Sequence, residues 1–175
     1  MRKYMLSALG LAATLGILVS CEKGDDGPQG PAGNANVIYS DWFRPATYQK
    51  DTVFGIWGFK HNQPAPEITQ AVLDSAAILT FGKLAGYNAA VWPAGTVAPL
   101  PITITYMQGG LQNDTWHAFA KPGNLQIKFQ NDHNIYSSIA TAHEFRYVII
   151  PAGADAGRAA QLSYQEICQR YGIPE

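Results

Sequence analysis

The chain has 175 residues, a length that suits one folded domain. It is 47% hydrophobic and only 14% charged, against a usual charged share of about 25%, which argues against a disordered chain and a nucleic-acid partner. A net charge of -1 and two cysteines exclude a strongly electrostatic partner and a disulfide framework.

The N-terminus resembles a bacterial lipoprotein signal. Arg2 and Lys3 precede an uncharged apolar run over residues 6–19, which is too short for a membrane-spanning helix of about 20 residues. Residues 18–21, Leu-Val-Ser-Cys, resemble a lipobox. The resemblance implies cleavage of residues 1–20 and lipid attachment to Cys21, which then holds the chain on a membrane. The alternative is an ordinary secretory signal with a chance cysteine.

The residues after Cys21 predict where the protein goes. Glu22, Lys23, Gly24, Asp25 and Asp26 form an acidic cluster. It resembles the surface-export signal of Bacteroidetes-type lipoproteins, which implies an outer-membrane lipoprotein at the cell surface. The alternative is a solvated tether on the periplasmic side of that membrane.

Residues 21–35 carry a collagen-like repeat. Glycine recurs at every third position, at Gly24, Gly27, Gly30 and Gly33. Pro28 and Pro31 occupy the second position of their triplets, as collagen prefers. One interpretation is an extended spacer that spans about 3.1 Å per residue. The other is a stub of triple helix, which would make the protein a homotrimer.

These features together resemble one family. A lipobox, an acidic start, the run Gly-Pro-Gln-Gly-Pro-Ala-Gly and then Asn-Ala-Asn-Val are similar to the collagen-like lipoproteins of Bacteroidetes. The similarity covers residues 1–38 and becomes vague beyond them. It implies a location and an architecture, and no catalytic residue.

Residues 36–175 read as one β-rich domain. Runs of alternating or β-rich composition predict seven strands, at 37–43, 52–60, 76–84, 101–107, 115–120, 125–130 and 143–150. The run 125–130 is one-sided, whereas 52–60 is apolar on both faces and predicts a covered, central strand. Strands joined by tight turns predict an all-β fold, either an antiparallel β-sandwich or an open barrel.

Two helices are predicted, near 66–75 and 163–171. Pro66 and Glu67 suit the first turn of the former. Ser163 and Glu166 form a capping box for the latter, and Gly172 ends it. An apolar stripe comprises Tyr164, Ile167, Cys168 and Tyr171. Cys168 on this stripe is predicted to be an inert core thiol.

No pattern of catalytic chemistry stands out. The four histidines lack metal-ligand spacing, and no nucleophile elbow, phosphate loop or carboxylate pair is recognisable. Asn and Asp over residues 131–134 predict a β-turn, with a calcium site as the alternative. The sequence therefore predicts no catalytic residue, no metal, no cofactor and no enzymatic activity.

The aromatic residues offer the one candidate binding site. Trp92 lies in a loop rich in Pro, Ala and Gly, and Trp116 follows Asn113 and Asp114 in a predicted turn. We expect both indoles to be exposed and these four residues to bind a glycan or peptide, whereas Trp57 is expected in the core. The alternative places all the tryptophans in the core, as is usual for aromatic side chains.

Two further sites resemble acceptors for O-linked glycans, at Asp51-Thr52 and Asp74-Ser75. The leading interpretation is a non-enzymatic interaction or structural module of the cell envelope, with an envelope protein as its partner. A glycan-binding module is the alternative. A hydrolase requires a site assembled from residues far apart in sequence.

Overall fold

A computed structural model describes residues 36–153 and 156–175. The predicted signal peptide, Cys21 and the collagen-like repeat lie outside these residues. The described part consists of two antiparallel sheets and a few short helices, without a closed barrel. The prediction of an all-β sandwich is confirmed.

The described residues form nine strands and three helices. In chain order these are β1 (Ile38–Tyr39), β2 (Gln49–Val53), β3 (Ile56–Pro64), α1 (Gln70–Ser75), β4 (Ala77–Lys83), β5 (Ala98–Pro99), β6 (Ile102–Met107), β7 (Leu111–Lys121), β8 (Asn124–Asn131), β9 (Glu144–Ile150), α2 (Ala156–Ala159) and α3 (Tyr164–Tyr171). One sheet has the order β1-β9-β4-β5, and the other has the order β2-β3-β8-β7-β6.

The one-sided strands behave as their alternation predicts. In β8, Leu125, Ile127 and Phe129 are buried, while the residues between them are partly exposed. Ile102 and Ile104 of β6 are buried in the same way. These side chains form one core with Phe145 and other residues of the four-stranded sheet. Burying the apolar face of each sheet against the other drives this packing.

The prediction of one strand over residues 52–60 is wrong, although residues 56–60 belong to β3, which does lie between two other strands. The run splits into a hairpin, and Phe54 and Gly55 occupy its two-residue turn with φ angles of 49° and 81°. Positive φ at both positions is the geometry that best fits the twist of the flanking strands. β2 is consequently an edge strand, and Val53 and Ile56 are exposed rather than covered. A continuous apolar run concealed the turn.

Two other strands have different bounds from those predicted. β7 starts at Leu111, because the turn before it falls at residues 108–110. Asn113 and Asp114 therefore lie within a strand and not in a turn. The run 37–43 forms only the short β1 and an isolated bridge from Phe43 to Phe145.

The C-terminal helix is confirmed and the other helix is shifted. Ser163 and Glu166 form the reciprocal capping box of α3, and Gly172 ends the helix in the left-handed conformation. Cys168 is buried, as its place on the stripe predicts. α1 begins after the N-cap Thr69, so Pro66 lies outside it. Across the described residues, no helix has both the length and the apolar character needed to span a membrane.

Strand register brings several turns to one end of the five-stranded sheet. Asp114 of β7 pairs with Asn131 of β8, and Gly58 of β3 pairs with Gln130. The turns at 54–55 and 108–110 and the loop that follows Asn131 therefore lie at one end, here called the turn end. The opposite end carries the turn between β7 and β8, where Gly123 exchanges backbone hydrogen bonds with Ala65 and Ile68.

Candidate functional site

A buried carboxylate lies near the turn end. Alternation along β7 places Gln112, Asp114 and Trp116 on the inner face of the sheet, and Asp114 is 0% exposed. An ionised carboxylate in a protein interior requires hydrogen-bond donors, because burial removes its hydration. The elements around Asp114 supply those donors.

The donors come from three different segments. Tyr87 and Tyr136 donate their hydroxyl groups to Oδ2 of Asp114 at 2.8 and 2.9 Å, and Nδ2 of Asn131 donates to Oδ1 at 2.8 Å. The hydroxyl of Tyr106 lies 3.3 Å from Oδ1 and 2.8 Å from the Tyr136 hydroxyl. Both carboxylate oxygens of Asp114 are thus occupied. We call Asp114, Tyr87, Tyr106, Tyr136 and Asn131 the carboxylate cluster.

The loop after β8 is held to the sheet by its own side chains. Oδ1 of Asn131 accepts the backbone N–H of His133, which forms the turn predicted for residues 131–134. Asp132 accepts hydrogen bonds from the backbone N–H and the side-chain amide of Asn113, and these lower the pKa of Asp132 to about 2. The loop is therefore fixed where it carries Tyr136 over the sheet.

A cleft opens beside the carboxylate cluster. Its volume is about 420 Å³, which falls within the range of small-molecule sites. Trp116 and Phe129 contribute nearly buried rings, and Ser138, Ile139 and Ala140 lie along the loop side. A second recess of about 430 Å³ is lined by Tyr106 and Met107 among others. Tyr87 and Tyr136 line both recesses.

His143 forms part of the cleft wall as a neutral ring. Nδ1 of His143 accepts the backbone N–H of Ala85 at 3.1 Å, so the neutral ring carries its proton on Nε2. Burial lowers the pKa of His143 to about 4, because the charged form loses its hydration. The ring packs edge-on against Trp116, with 4.5 Å between centroids. His143 therefore offers an N–H donor, and not a positive charge, at neutral pH.

The tyrosines keep their protons. Burial raises the pKa values of Tyr87 and Tyr136, and the negative charge of Asp114 raises them further. Both hydroxyl groups donate their protons to Asp114. A ligand in the cleft would therefore contact the faces of the tyrosine rings and the edges of the loops. The indole N–H of Trp116 donates to the Tyr87 hydroxyl at 3.2 Å and fixes that ring as well.

The structure does not bring the four predicted binding residues together on one exposed surface. Trp116 is 1% exposed, so the expectation of an exposed indole is wrong: β7 begins earlier than predicted and turns this side chain inward. Asp114 is buried beside it, whereas Asn113 faces the other side of the strand and accepts a hydrogen bond from Thr105. Trp92 is half-buried against the core.

Other aromatic positions also differ from the predictions. Trp57 is half-buried rather than in the core, with Nζ of Lys50 lying 3.2 Å from its ring centroid. Sequence reasoning missed Tyr87 and Tyr136, which come from loops without a periodic pattern. It also missed the role of His143, which directly precedes β9. The signal that could have found Asp114 is its place on the alternating inner face of β7.

The described residues contain no group of three or more His, Cys, Asp or Glu side chains that could hold a metal ion. Comparison with models of protein families, with curated proteins and with solved structures finds no match.

Proposed function

We propose that this chain is a lipid-anchored protein of the bacterial cell surface. The lipobox at residues 18–21 and the acidic residues after Cys21 support this assignment. Several acyl chains on one cysteine would anchor the protein firmly, since each buried methylene contributes about 0.8 kcal/mol. Residues 22–35 would then act as an extended spacer between the membrane and the β-sandwich.

Metabolic labelling with a palmitate analogue tests the anchor. We expect the native chain to take up the label and the Cys21→Ala variant to take up none. Cys168→Ala is the matched control, because it removes the other cysteine and leaves the lipobox intact. A native chain without label would contradict the proposal. Protease treatment of intact cells then tests exposure at the surface, and an uncleaved domain would contradict it.

We further propose that the β-sandwich is a binding module and not an enzyme, and that its cleft binds a sugar ring. The aromatic cleft beside the carboxylate cluster carries this proposal. Both oxygens of Asp114 are already occupied, so this carboxylate is not free to act as a nucleophile or base. Aromatic faces with a few polar groups nearby suit a ligand that has an apolar face and hydroxyl groups.

A glycan array probed with the full chain tests this function. Ala140 is exposed at the cleft, so Ala140→Trp fills the cleft without disturbing the core. Ala152→Trp places the same side chain on an exposed residue beyond β9, away from the cleft, and is the matched control. Trp116→Ala is unsuitable, because emptying such a core position costs about 3–5 kcal/mol of stability.

We expect binding to one glycan class, lost in Ala140→Trp and kept in Ala152→Trp. Equal binding by both variants would place the ligand elsewhere on the domain. The absence of binding to every glycan on the array would contradict the sugar proposal and favour an envelope protein as the partner, to be sought by crosslinking on whole cells.

The two acceptor sites for O-linked glycans remain predictions. Thr52 and Ser75 are both exposed, and added hexose would be visible by mass spectrometry.

A further inference from the structure

Exposed apolar side chains gather at the turn end. Among the described residues, six large ones lie there: Val53, Phe54, Ile56, Met107, Leu111 and Ile135. They come from the β2–β3 hairpin, the β6–β7 hairpin and the loop after β8. Scattered apolar residues are normal on a protein surface, whereas a group rimming one end indicates an interaction site.

The tip of the β2–β3 hairpin is the most prominent part of this group. Phe54 is 102% exposed and has a φ angle of 49°. A residue other than glycine in this left-handed region carries a steric cost. Oδ1 of Asn134 accepts the backbone N–H of Trp57 at 2.7 Å, and its Nδ2 donates to the carbonyl of Gly55 at 2.9 Å. The loop after β8 thus holds the tip in place, with Phe54 directed outward.

Lysine side chains lie behind this apolar tip. Lys50 and Lys60 belong to the strands of the hairpin, and Lys128 lies on the neighbouring strand β8. Asp51 is the carboxylate among them, 3.5 Å from Nζ of Lys60 and 3.8 Å from Nζ of Lys128. Lys60 lies four positions beyond Ile56 along an extended strand, a distance of roughly 13 Å. Three lysines and one carboxylate leave a net charge of +2 behind the apolar residues, and Asp132 in the loop after β8 adds one negative charge at the turn end.

We propose that the turn end docks on an anionic lipid bilayer. Val53, Phe54 and Ile56 enter the boundary of the acyl chains, and the lysines meet the phosphates of the headgroups. Apolar side chains that penetrate about 5–10 Å, combined with basic residues at the surface, are the features of an interfacial membrane contact. A fluid bilayer accommodates separate protruding turns, whereas a protein partner would need a matching depression for each.

The position of the chain favours a membrane as the occupant. A spacer of residues 22–35 reaches about 45 Å at most, so a lipid on Cys21 would keep the domain close to the bilayer; this point alone rests on the proposed anchor. The cleft lies near the same end. Docking therefore brings the cleft close to the headgroup layer.

An environment-sensitive fluorophore on the hairpin tip tests the proposal. The full chain carries Cys21→Ala, so acylation plays no part and the result is independent of the proposed anchor. Phe54→Cys is labelled with a nitrobenzoxadiazole dye, and Cys168 stays unlabelled because it is buried. Lys121→Cys places the same dye on an exposed residue at the opposite end of the sheet. Vesicles contain phosphatidylcholine alone or with phosphatidylglycerol.

We expect the emission of the dye at position 54 to shift to shorter wavelengths with anionic vesicles, and the dye at position 121 to stay unshifted. The N-terminal apolar run is the same in both chains, so the difference between positions reports the tip. An unshifted dye at position 54, or equal shifts at both positions, would overturn the proposal. If the emission of the dye at position 54 shifts without vesicles when the protein concentration is raised, the turn end binds a second copy of the chain, and this result would also overturn the proposal.

A second variant tests the part played by charge. Lys50→Gln removes one lysine behind the tip. We expect its affinity for anionic vesicles to fall about fivefold, as for one lysine near an anionic surface. Its affinity for phosphatidylcholine vesicles should be unchanged. An unchanged affinity for anionic vesicles would overturn the role of the lysines and with it the choice of an anionic bilayer.

Discussion

Replacing Asp114 with alanine removes the acceptor at the centre of the carboxylate cluster. Asp114 lies wholly inside the protein and accepts hydrogen bonds of 2.8, 2.8 and 2.9 Å from Tyr87, Asn131 and Tyr136. The variant leaves these donors without their acceptor. The cleft should then lose its fixed tyrosines, and the domain should lose stability.

The size of the effect follows from these three bonds. A hydrogen bond to a charged group contributes about 1.5–3 kcal/mol. Tyr87 and Tyr136 line the cleft, so water can replace part of what they lose. Asn131 is buried, and its amide group keeps only the longer hydrogen bond of 3.5 Å to Oε1 of Gln112. We therefore expect Asp114→Ala to lower the free energy of unfolding by about 3–4 kcal/mol.

Urea unfolding of the full chain, followed by tryptophan fluorescence, measures this loss. Tyr106→Phe is the matched control, because it removes the 3.3 Å contact with the carboxylate and the 2.8 Å hydrogen bond to the Tyr136 hydroxyl but leaves the three shorter bonds of Asp114 in place. Loss of this hydroxyl should cost about 1 kcal/mol. A free energy of unfolding for Asp114→Ala within about 1 kcal/mol of the parent would refute the central role of this carboxylate.

Three further predictions concern pH and backbone packing. The pKa of His143 is lowered to about 4 in the folded chain, so its stabilising contribution is present above pH about 6.5 and is lost as the pH falls towards 4. In His143→Gln, the free energy of unfolding should therefore depend less steeply on pH over that range. Ser163→Ala removes the N-cap of α3 and should lower the free energy of unfolding, measured by thermal unfolding, by about 1 kcal/mol. Gln165→Ala, at an exposed position of the same helix, should leave the stability almost unchanged, and an equal loss in both variants would argue against the cap. Gly58→Ala brings a Cβ within 2.8 Å of a backbone oxygen and should cost about 1–3 kcal/mol, whereas Gly153→Ala meets nothing within 4 Å; a harmless Gly58→Ala would contradict the close packing of this strand.

Local sequence patterns predicted correctly those strands in which the alternation of apolar and polar residues matches the burial of the two faces. The alternation at Leu125, Ile127 and Phe129 gave strand β8 and its buried face, because one side of that strand meets the core. The hairpin at Phe54 escaped prediction, since apolar residues on both sides of the turn read as one strand. Apolar residues on both sides of this turn are exposed to solvent, so their hydrophobic character did not indicate burial in the core.

The candidate site was predictable only in fragments. Trp116 and Asp114 were selected from the sequence, but Trp116 as an exposed indole and Asp114 as part of a turn. The structure buries both, because β7 extends four residues further than its apolar pattern and Asp114 takes an inward position. Tyr87 and Tyr136 are separated by 49 positions in the chain and meet through loops that carry no periodicity.

The sequence by itself determined the all-β class, the capped C-terminal helix and the lipoprotein-like N-terminus as a prediction, because each is written in neighbouring residues. Only the tertiary structure decided which aromatic side chains enter the core, how the carboxylate cluster forms and which turns share one end. These features depend on register between strands and on contacts between distant loops. A local pattern indicates which face of a strand is apolar. Which element packs against that face is determined only when the two sheets come together.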